Sequence, residues 1–206
     1  MKQINLTDTV MVSDPCYTEP TWCQIKLKNV LPGLYNVEAD KRDCSGWGER
    51  VHSLQVIHSD YSGPLEWEEA PGEVGVDSGQ AGIFAYDSYR NDAIASSIQT
   101  EQAPFALPYR EEAGDRWYEK MCEMTLSKDS WGVYDNGVVS SSGIGDGGYP
   151  LFIARDRSGF IVAMKIDFLL DEEEEYDECP ECGAEMDMGD DICASCQAEK
   201  EYNANI

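Results

Sequence analysis

The segment covering residues 138–170 has the strongest structural pattern in the chain. It reads VVSSSGIGDGGYPLFIARDRSGFIVAMKIDFLL, so a short apolar run precedes a glycine-rich loop and two longer apolar runs flank residues 156–159. Short apolar runs rich in β-branched residues and bounded by turn residues are typical of buried strands. We therefore expect this segment to be central in a sheet, with its last two strands folded back on each other across residues 156–159.

Other strands are predicted earlier in the chain. Residues 24–30 alternate apolar side chains with lysines, which indicates a half-buried strand, and residues 34–41 alternate in the same way. The turn residues Pro32 and Gly33 between them predict that this pair forms a hairpin. A third strand is expected at residues 50–58, whereas residues 61–75, with four glutamates among prolines and glycines, read as a surface loop.

One helix is predicted, from Asp115 onward. Trp117, Met121 and Met124 recur at helical spacing, and Asp115 is a plausible N-terminal cap. After this helix, the residues Asp-Asn-Gly at 135–137 predict a further tight hairpin.

These elements predict a mainly β (α+β) fold. We expect an antiparallel, sandwich-like domain over residues 1–170 with one main helix, an acidic linker over residues 171–178, and a zinc ribbon with a tail over residues 179–206. No apolar run approaches the roughly 20 residues that cross a bilayer, and the first residues lack the apolar core of a secretory signal. The expected location is therefore the cytoplasm, or the host cytoplasm if a phage encodes the chain.

Four cysteines near the end of the chain predict a metal site. Cys179 and Cys182 form one Cys-x-x-Cys pair, Cys193 and Cys196 form a second, and Gly183 allows a tight turn after the first pair. Two such pairs at this spacing are typical of a closed four-thiolate site. We expect structural zinc here, because a segment this short and polar cannot bury a core of its own.

The charge balance restricts the partners. The chain carries 40 acidic and 15 basic residues, a formal net charge of −25, and 14 of the acids but only one lysine follow residue 170. Such a surface repels nucleic-acid phosphates and anionic membranes and attracts basic protein surfaces. We therefore expect a partner protein with a basic surface or a small polar ligand, with no direct binding of nucleic acid or membrane.

Two stretches of the chain are punctuated by glycines, at residues 76–89 and 143–148. Residues 143–148 match G-x-G-x-x-G, but an apolar strand follows instead of the helix whose N-terminus holds a dinucleotide pyrophosphate. Residues 140–142 are serines without a nucleophile-elbow motif, so neither a nucleotide site nor a serine nucleophile is favoured. In the other stretch, Asp77, Ser78 and Gln80 are expected on an ordered loop before an apolar run.

The motifs SDPCY, VDSGQAGIF, a WYE helix and SSSGIGDGGYPLF…RDRSGFIVAMKIDF, taken in order, resemble the bacterial and phage family known as domain of unknown function 4241. The resemblance covers residues 10–170 and implies a single β-rich domain without an assigned activity. The family pattern often has a serine at the position of Gly148. The resemblance also implies a set of shared positions, namely Asp14, Cys16, Tyr17, Asp77, Gln80, Gly82, Asp146 and Tyr149.

We hypothesise that the three aspartate-bearing loops, with Asp14, Asp77 and Asp146, converge at one end of the sheet and bind a cation, a basic peptide, a polar small molecule or a hard divalent ion. The nine candidate ligand-binding residues are Asp14, Cys16, Tyr17, Asp77, Ser78, Gln80, Gly82, Asp146 and Tyr149. In the alternative interpretation each aspartate only satisfies its own turn. The favoured function is a non-enzymatic binding protein. The alternatives are an acidic decoy or inhibitor that mimics nucleic acid in an anti-defence or immunity role, and a divalent-metal hydrolase that uses the three aspartates.

Overall fold

The structure is a computed structural model that describes residues 2–95, 113–168, 177–186 and 192–204. The chain divides into two compact units, Met1–Leu170 and Asp171–Ile206. Most of the predicted acidic linker, residues 171–176, lies outside the described residues, as do residues 169 and 170 at the end of the central segment.

The first unit contains two antiparallel sheets. The six-stranded sheet has the order β1-β4-β5-β11-β10-β6, formed by Lys2–Leu6, Gly33–Asp43, Glu49–His58, Ile161–Asp167, Gly147–Arg155 and Trp67–Val76. The five-stranded sheet has the order β3-β2-β7-β9-β8, formed by Ile25–Lys28, Thr9–Ser13, Gln80–Ala85, Gly137–Ser141 and Trp131–Tyr134. The predicted β-dominated, antiparallel fold is confirmed.

The main core draws on both sheets. Val12 and Ile83 of the five-stranded sheet belong to the same buried cluster as Leu54, Leu151 and Met164 of the six-stranded sheet. Strands that pack one face on this core alternate in burial, whereas all six residues of β7 are buried. Such a continuously buried strand is covered on both faces.

A helix covers the other face of β7. Helix α1 (Asp92–Ala95) is short, and helix α2 (Asp115–Thr125) packs Trp117 and Met121 against Phe84 in a second buried cluster. The rings of Phe84 and Trp117 meet edge to face, with their centroids 5.0 Å apart. This contact explains the burial of both faces of β7 and confirms the predicted helix.

The predicted cap of α2 is wrong. The N-cap residue is Gly114, and Asp115 already lies inside the helix. The carboxylate of Asp92 instead accepts hydrogen bonds from the backbone N–H of Gly114, at 2.6 Å, and of Trp117, at 3.1 Å. A side chain distant in sequence therefore satisfies the free amides at the start of the helix.

The strands predicted in the central segment, residues 138–170, are confirmed and belong to two different sheets. Strands β10 and β11 pair antiparallel across residues 156–159 and occupy interior positions of the six-stranded sheet. The preceding strand β9 pairs with β8 in the predicted hairpin, but it lies in the interior of the five-stranded sheet. The glycine-rich loop therefore carries the chain from one sheet to the other.

The predicted hairpin of residues 24–30 with residues 34–41 is wrong. Strand β3 pairs with β2 in the five-stranded sheet, and β4 pairs with β1 and β5 in the six-stranded sheet. Asn29 adopts a positive φ of 59° and is exposed, so the chain turns there and changes sheets. A half-buried strand has the same alternation whichever neighbour it pairs with, so the pattern did not identify the partner.

The surface loop predicted at residues 61–75 is also wrong over most of its length. Residues Trp67–Val76 form β6, an edge strand that pairs with β10. Only Ala70, Val74 and Val76 of this strand are buried. Pro71 is tolerated because it lies in an edge strand, where one side of the backbone has no neighbour to bond.

The second unit has its own secondary structure. A two-stranded ladder joins β12 (Asp177–Glu178) to β13 (Glu185–Met186), and helix α3 (Ala194–Ala204) follows. Gly183 adopts a positive φ of 70° and donates its N–H to the Cys179 carbonyl at 2.8 Å, as the predicted tight turn requires. Across the described parts of the chain, no helix combines the length and apolarity of a bilayer span.

Candidate functional site

The three aspartate-bearing loops meet at one end of the sandwich. They follow β2, precede β7 and follow β9, and these strands are neighbours in the five-stranded sheet. Asp14 lies at the centre and is 0 % exposed. Its carboxylate accepts hydrogen bonds from the backbone N–H of Cys16 (2.8 Å), Asp77 (2.9 Å) and Ser78 (2.7 Å), and from the Ser78 hydroxyl (2.6 Å).

The third loop is attached in the same way. Asp146 accepts a hydrogen bond from the Gly79 N–H at 3.0 Å, and the Ser142 N–H donates to the Gly79 carbonyl at 3.0 Å. The Tyr149 hydroxyl donates to the Gly145 carbonyl at 2.7 Å and holds the glycine-rich loop closed. Asp14 and Asp146 thus organise loops other than their own, which goes beyond the alternative in which each aspartate satisfies only its own turn.

A pocket of about 500 Å³ opens beside these loops. Its walls include three carboxylates, from Glu73, Asp77 and Asp146, together with the aromatic side chains of Tyr17 and Trp22. Among the described residues that line it, none is lysine, arginine or histidine. We call this cavity the acidic pocket.

Several predicted site residues do not line the acidic pocket. Gln80 is buried and points towards α2, where its amide donates to Tyr118 and Cys122 and its carbonyl accepts from Thr125 at 3.1 Å. Gly82 lies inside the five-stranded sheet. Tyr17, Asp77 and Asp146 are the predicted residues that do line the pocket, and a binding role for any of the nine stays a prediction.

The structure gives Gly82 a packing role that can be tested. A Cβ atom at this position would overlap the Phe84 ring and the Val138 carbonyl oxygen, and the backbone atom cannot move without breaking the β7–β9 ladder. We expect Gly82→Ala to lower the free energy of unfolding by about 1–3 kcal/mol, measured by urea denaturation. Gly79→Ala is the comparison, because no atom lies within 4 Å of its Cβ position and only its positive φ of 68° opposes the change.

Burial changes the ionisation of two residues in the loop after β2. Removal from water, followed by the nearby charge of Asp14, raises the pKa of the Cys16 thiol to about 12. Removal from water and a hydrogen bond with Asp77 raise the pKa of Tyr17. Both groups therefore stay protonated at neutral pH, and Cys16 is not an activated nucleophile.

The reactivity of Cys16 follows from its raised pKa. At pH 8 the thiolate fraction of Cys16 is therefore far lower than that of an ordinary solvent-exposed cysteine. We expect iodoacetamide to leave Cys16 unmodified in the native protein and to alkylate it readily in urea, as measured by peptide mass mapping. Equal alkylation rates in the two conditions would contradict this assignment.

The four predicted cysteines of the second unit form a cluster. The sulfur atoms of Cys179, Cys182, Cys193 and Cys196 all lie within 4.8 Å of one another, and the Cys182 and Cys193 sulfurs are 3.5 Å apart. Sulfurs at about 2.3 Å from a tetrahedral metal are separated by roughly 3.8 Å, so the donor set fits such an ion. Within the described parts of the chain, this is the one cluster of at least three histidine, cysteine or carboxylate ligands close enough to hold a metal.

The backbone around this cluster favours the thiolate form of Cys179. The N–H groups of Cys193 and Glu181 point at the Cys179 sulfur and lower its pKa to about 6. Cys193 immediately precedes α3 and Cys196 lies in its first turn, where the helix dipole favours negative charge. Sharing of protons with Cys182 and Cys193 raises the pKa of Cys196. A cation that displaces these protons therefore stabilises the whole cluster.

A comparison with protein families places the first unit. Residues 5–166 match a family described as "Protein of unknown function (DUF4241)". The chain belongs to this family. The match contains all three aspartate-bearing loops and the acidic pocket of the DUF4241 domain, and it ends before the cysteine cluster. Searches of curated proteins and of solved structures returned no match.

Sequence reasoning missed most of the residues that line the acidic pocket of the DUF4241 domain, among them Trp22, Cys23 and Glu73. Trp22 is 86 % exposed, Cys23 is buried, and Glu73 lies on β6, within the segment predicted as a surface loop. For Trp22 the sequence held a signal, because this large aromatic residue directly follows Pro20 and Thr21. Glu73 had no such signal, because its position depends on the pairing of β6 with β10.

Proposed function

We propose that the DUF4241 domain is a non-enzymatic binding module whose acidic pocket takes a positively charged group of a partner protein. The observation that carries this proposal is the lining of the pocket, in which Glu73, Asp77 and Asp146 supply three carboxylates without a basic counterpart. A cation entering the pocket would relieve the repulsion among these carboxylates and pair with them.

The aromatic residues of the pocket support the same class of ligand. Trp22 exposes most of its ring, and Tyr17 lies on the wall beside Asp77. A cation over an aromatic face gains about 0.5–2 kcal/mol, with the larger values in sites that exclude water. Exposed tryptophans are also frequent anchors in protein interfaces. A guanidinium or ammonium group on an apolar stem satisfies both the carboxylates and the rings.

The pocket is held in shape before any ligand arrives. Asp14 ties residues 77 and 78 to the loop after β2, and Asp146 ties Gly79 to the glycine-rich loop. A preorganised site loses little conformational entropy on binding. The net charge of −25 adds a long-range attraction for basic proteins and a repulsion of phosphate.

We further propose that the cysteine cluster holds a structural Zn²⁺. Four thiolates leave no open position for a substrate, and zinc is the ion that such closed sites most often hold. Cys179, Cys182, Cys193 and Cys196 would be its ligands. The ion would stabilise a unit whose strands are only two residues long.

The geometry gives less support to a metal-dependent hydrolase. Such an enzyme needs Asp14, Asp77 and Asp146 as joint ligands in one cavity. Asp14 is buried and turns its carboxylate towards backbone N–H groups, whereas Asp77 and Asp146 line the acidic pocket. If Asp14 turned its carboxylate towards a catalytic metal ion, those N–H groups would lose their acceptor.

The binding proposal is tested with a short peptide that contains one arginine and with the same peptide carrying neutral citrulline. We expect the arginine peptide to bind, as followed by NMR titration, and the citrulline peptide not to bind. Glu73→Gln should weaken binding by about fivefold, and binding should fall as salt is raised.

The matched control is Glu38→Gln, which removes one exposed carboxylate from β4, four strands away from β6 in the same sheet. Its effect on binding should be less than twofold. Equal binding of the citrulline peptide, or equal losses in the two variants, would overturn the proposal.

A further inference from the structure

A second cavity adjoins the acidic pocket. It measures about 270 Å³ and is lined by Glu69, Glu73, Gly148, Pro150 and Phe152. Glu73 and Gly148 also line the acidic pocket, so the two cavities share a wall along the β6–β10 strand pair. Together they form a groove, which we call the β6 groove.

The pairing of β6 with β10 sets the backbone positions of the two glutamates that line this groove. Glu73 lies opposite Pro150 and Glu69 lies opposite Phe152, with a register shift between the two pairs. Three residues of β6 therefore bulge out across from the single residue Leu151. As a result, the residues of β10 that lie opposite Glu69 and Glu73 are only two residue lengths apart, which is roughly 7 Å.

Both glutamates lie on the solvent side of the sheet. Ala70 and Val74 face the core, whereas Glu69 and Glu73 are exposed. Gly148 lacks a side chain, and a Cβ atom there would overlap the Glu73 carboxylate, so this carboxylate leans over Gly148 at the junction of the cavities. With Asp77 and Asp146 at one end and Glu69 at the other, the groove has a row of negative charge.

The second cavity also has an apolar surface. Phe152 and Pro150 are half-buried and form its wall beside Glu69. Lys165, whose ammonium lies 5.0 Å from the centroid of the Phe152 ring, is paired with Asp167 at 3.2 Å. Glu69 and Glu73 therefore line a cavity whose apolar wall is suited to the aliphatic stem of a long cationic side chain.

We infer that the partner of the β6 groove is an extended basic segment of a protein, with cationic side chains at alternate positions. This inference rests on the proposed function, because the first cation occupies the acidic pocket. The second cationic side chain lies between Glu73 and Glu69. Side chains at positions i and i+2 of an extended chain are roughly 6.6 Å apart on one face, which matches the roughly 7 Å between the β10 positions opposite Glu69 and Glu73.

The test compares three peptides of equal length whose central residues are Arg-Ala-Arg, Arg-Ala-Ala or Arg-Arg-Ala. All other residues of the peptides are neutral. The first and third peptides carry the same charge, but adjacent arginines point to opposite faces of an extended chain. We expect the Arg-Ala-Arg peptide to bind about fivefold more tightly than either of the others, measured by fluorescence polarisation at fixed salt.

Variants locate the second cation. Glu69→Gln should abolish the advantage of the Arg-Ala-Arg peptide and leave the affinity for Arg-Ala-Ala within twofold, whereas Glu73→Gln should weaken both peptides. Equal affinities for Arg-Ala-Arg and Arg-Arg-Ala, or no specific effect of Glu69→Gln, would overturn the inference while the single-cation pocket stands. No detectable binding of any arginine peptide would overturn the proposed function and the inference together.

Discussion

A Cys182→Ser variant is expected to lose the zinc that we propose for the cysteine cluster and to unfold the second unit, while the DUF4241 domain stays folded. The cluster brings four sulfurs within 4.8 Å of one another, and the described residues of this unit form two-residue strands and one helix. Structural zinc contributes about 10–16 kcal/mol in comparable peptides at neutral pH, so loss of one ligand removes most of the folding free energy. Native mass spectrometry and limited proteolysis measure the two effects.

The matched control is Cys44→Ser, which changes a half-exposed thiol outside the cluster. This variant should keep one zinc per chain and resist proteolysis like the unmodified protein. Retention of one equivalent of zinc by Cys182→Ser, with unchanged resistance to chelator, would contradict the four-cysteine site.

An Asp14→Ala variant is expected to lose about 3–5 kcal/mol of the roughly 5–15 kcal/mol that stabilises a domain of this kind. The change deletes a buried acceptor of four hydrogen bonds and leaves the N–H groups of Cys16, Asp77 and Ser78 without that acceptor. Each buried, unsatisfied donor costs about 1–3 kcal/mol. Urea denaturation of the full chain, followed by tryptophan fluorescence, measures the loss.

Two further variants make this experiment specific. Asp77→Ala removes an exposed carboxylate from the same loops and should cost less than about 1 kcal/mol. Asp14→Asn keeps one acceptor oxygen, turns an amide donor towards backbone donors, and should fall between the two alanine variants. If Asp14→Ala and Asp77→Ala were equally stable, Asp14 would not be the structural centre of the three loops.

The cysteine cluster and the Asp14 hydrogen bonds belong to units that differ in the source of their stability. The DUF4241 domain is stabilised by apolar side chains shared between two sheets, with buried hydrogen bonds ordering the loops at one end. For the second unit, we propose that the cysteine cluster with its metal ion supplies most of the stability. Because loops on a rigid sandwich can vary without disturbing the core, a binding site at this end is compatible with a stable scaffold.

Local patterns in the sequence predicted much of the fold. The β10–β11 pair, the β8–β9 hairpin and helix α2 each depend on residues close together in the chain, namely a turn between apolar runs or a helical repeat. The cysteine spacing likewise predicted which four residues meet. In these cases the residues that specify the structure are also the residues that form it.

The candidate site was predicted in part. The three aspartate-bearing loops do meet, but their residues differ in position: Asp77 and Asp146 line the acidic pocket, whereas Asp14 and Gln80 hold the surrounding backbone. A short polar side chain on a loop can either line a pocket or hold the surrounding backbone. Whether the side chain is exposed or buried distinguishes these two roles. That burial comes from the packing of other segments.

The sequence alone determined the strands with local turns, the amphipathic helix and the metal-ligand spacing. Only the tertiary structure decided that β3 and β4 belong to different sheets, that residues 67–76 form an edge strand, and that Glu73 and Trp22 share a pocket with Asp77 and Asp146. The physical reason is that backbone hydrogen bonding between strands is indifferent to side-chain identity. The choice of neighbour therefore depends on how all the apolar faces are buried together.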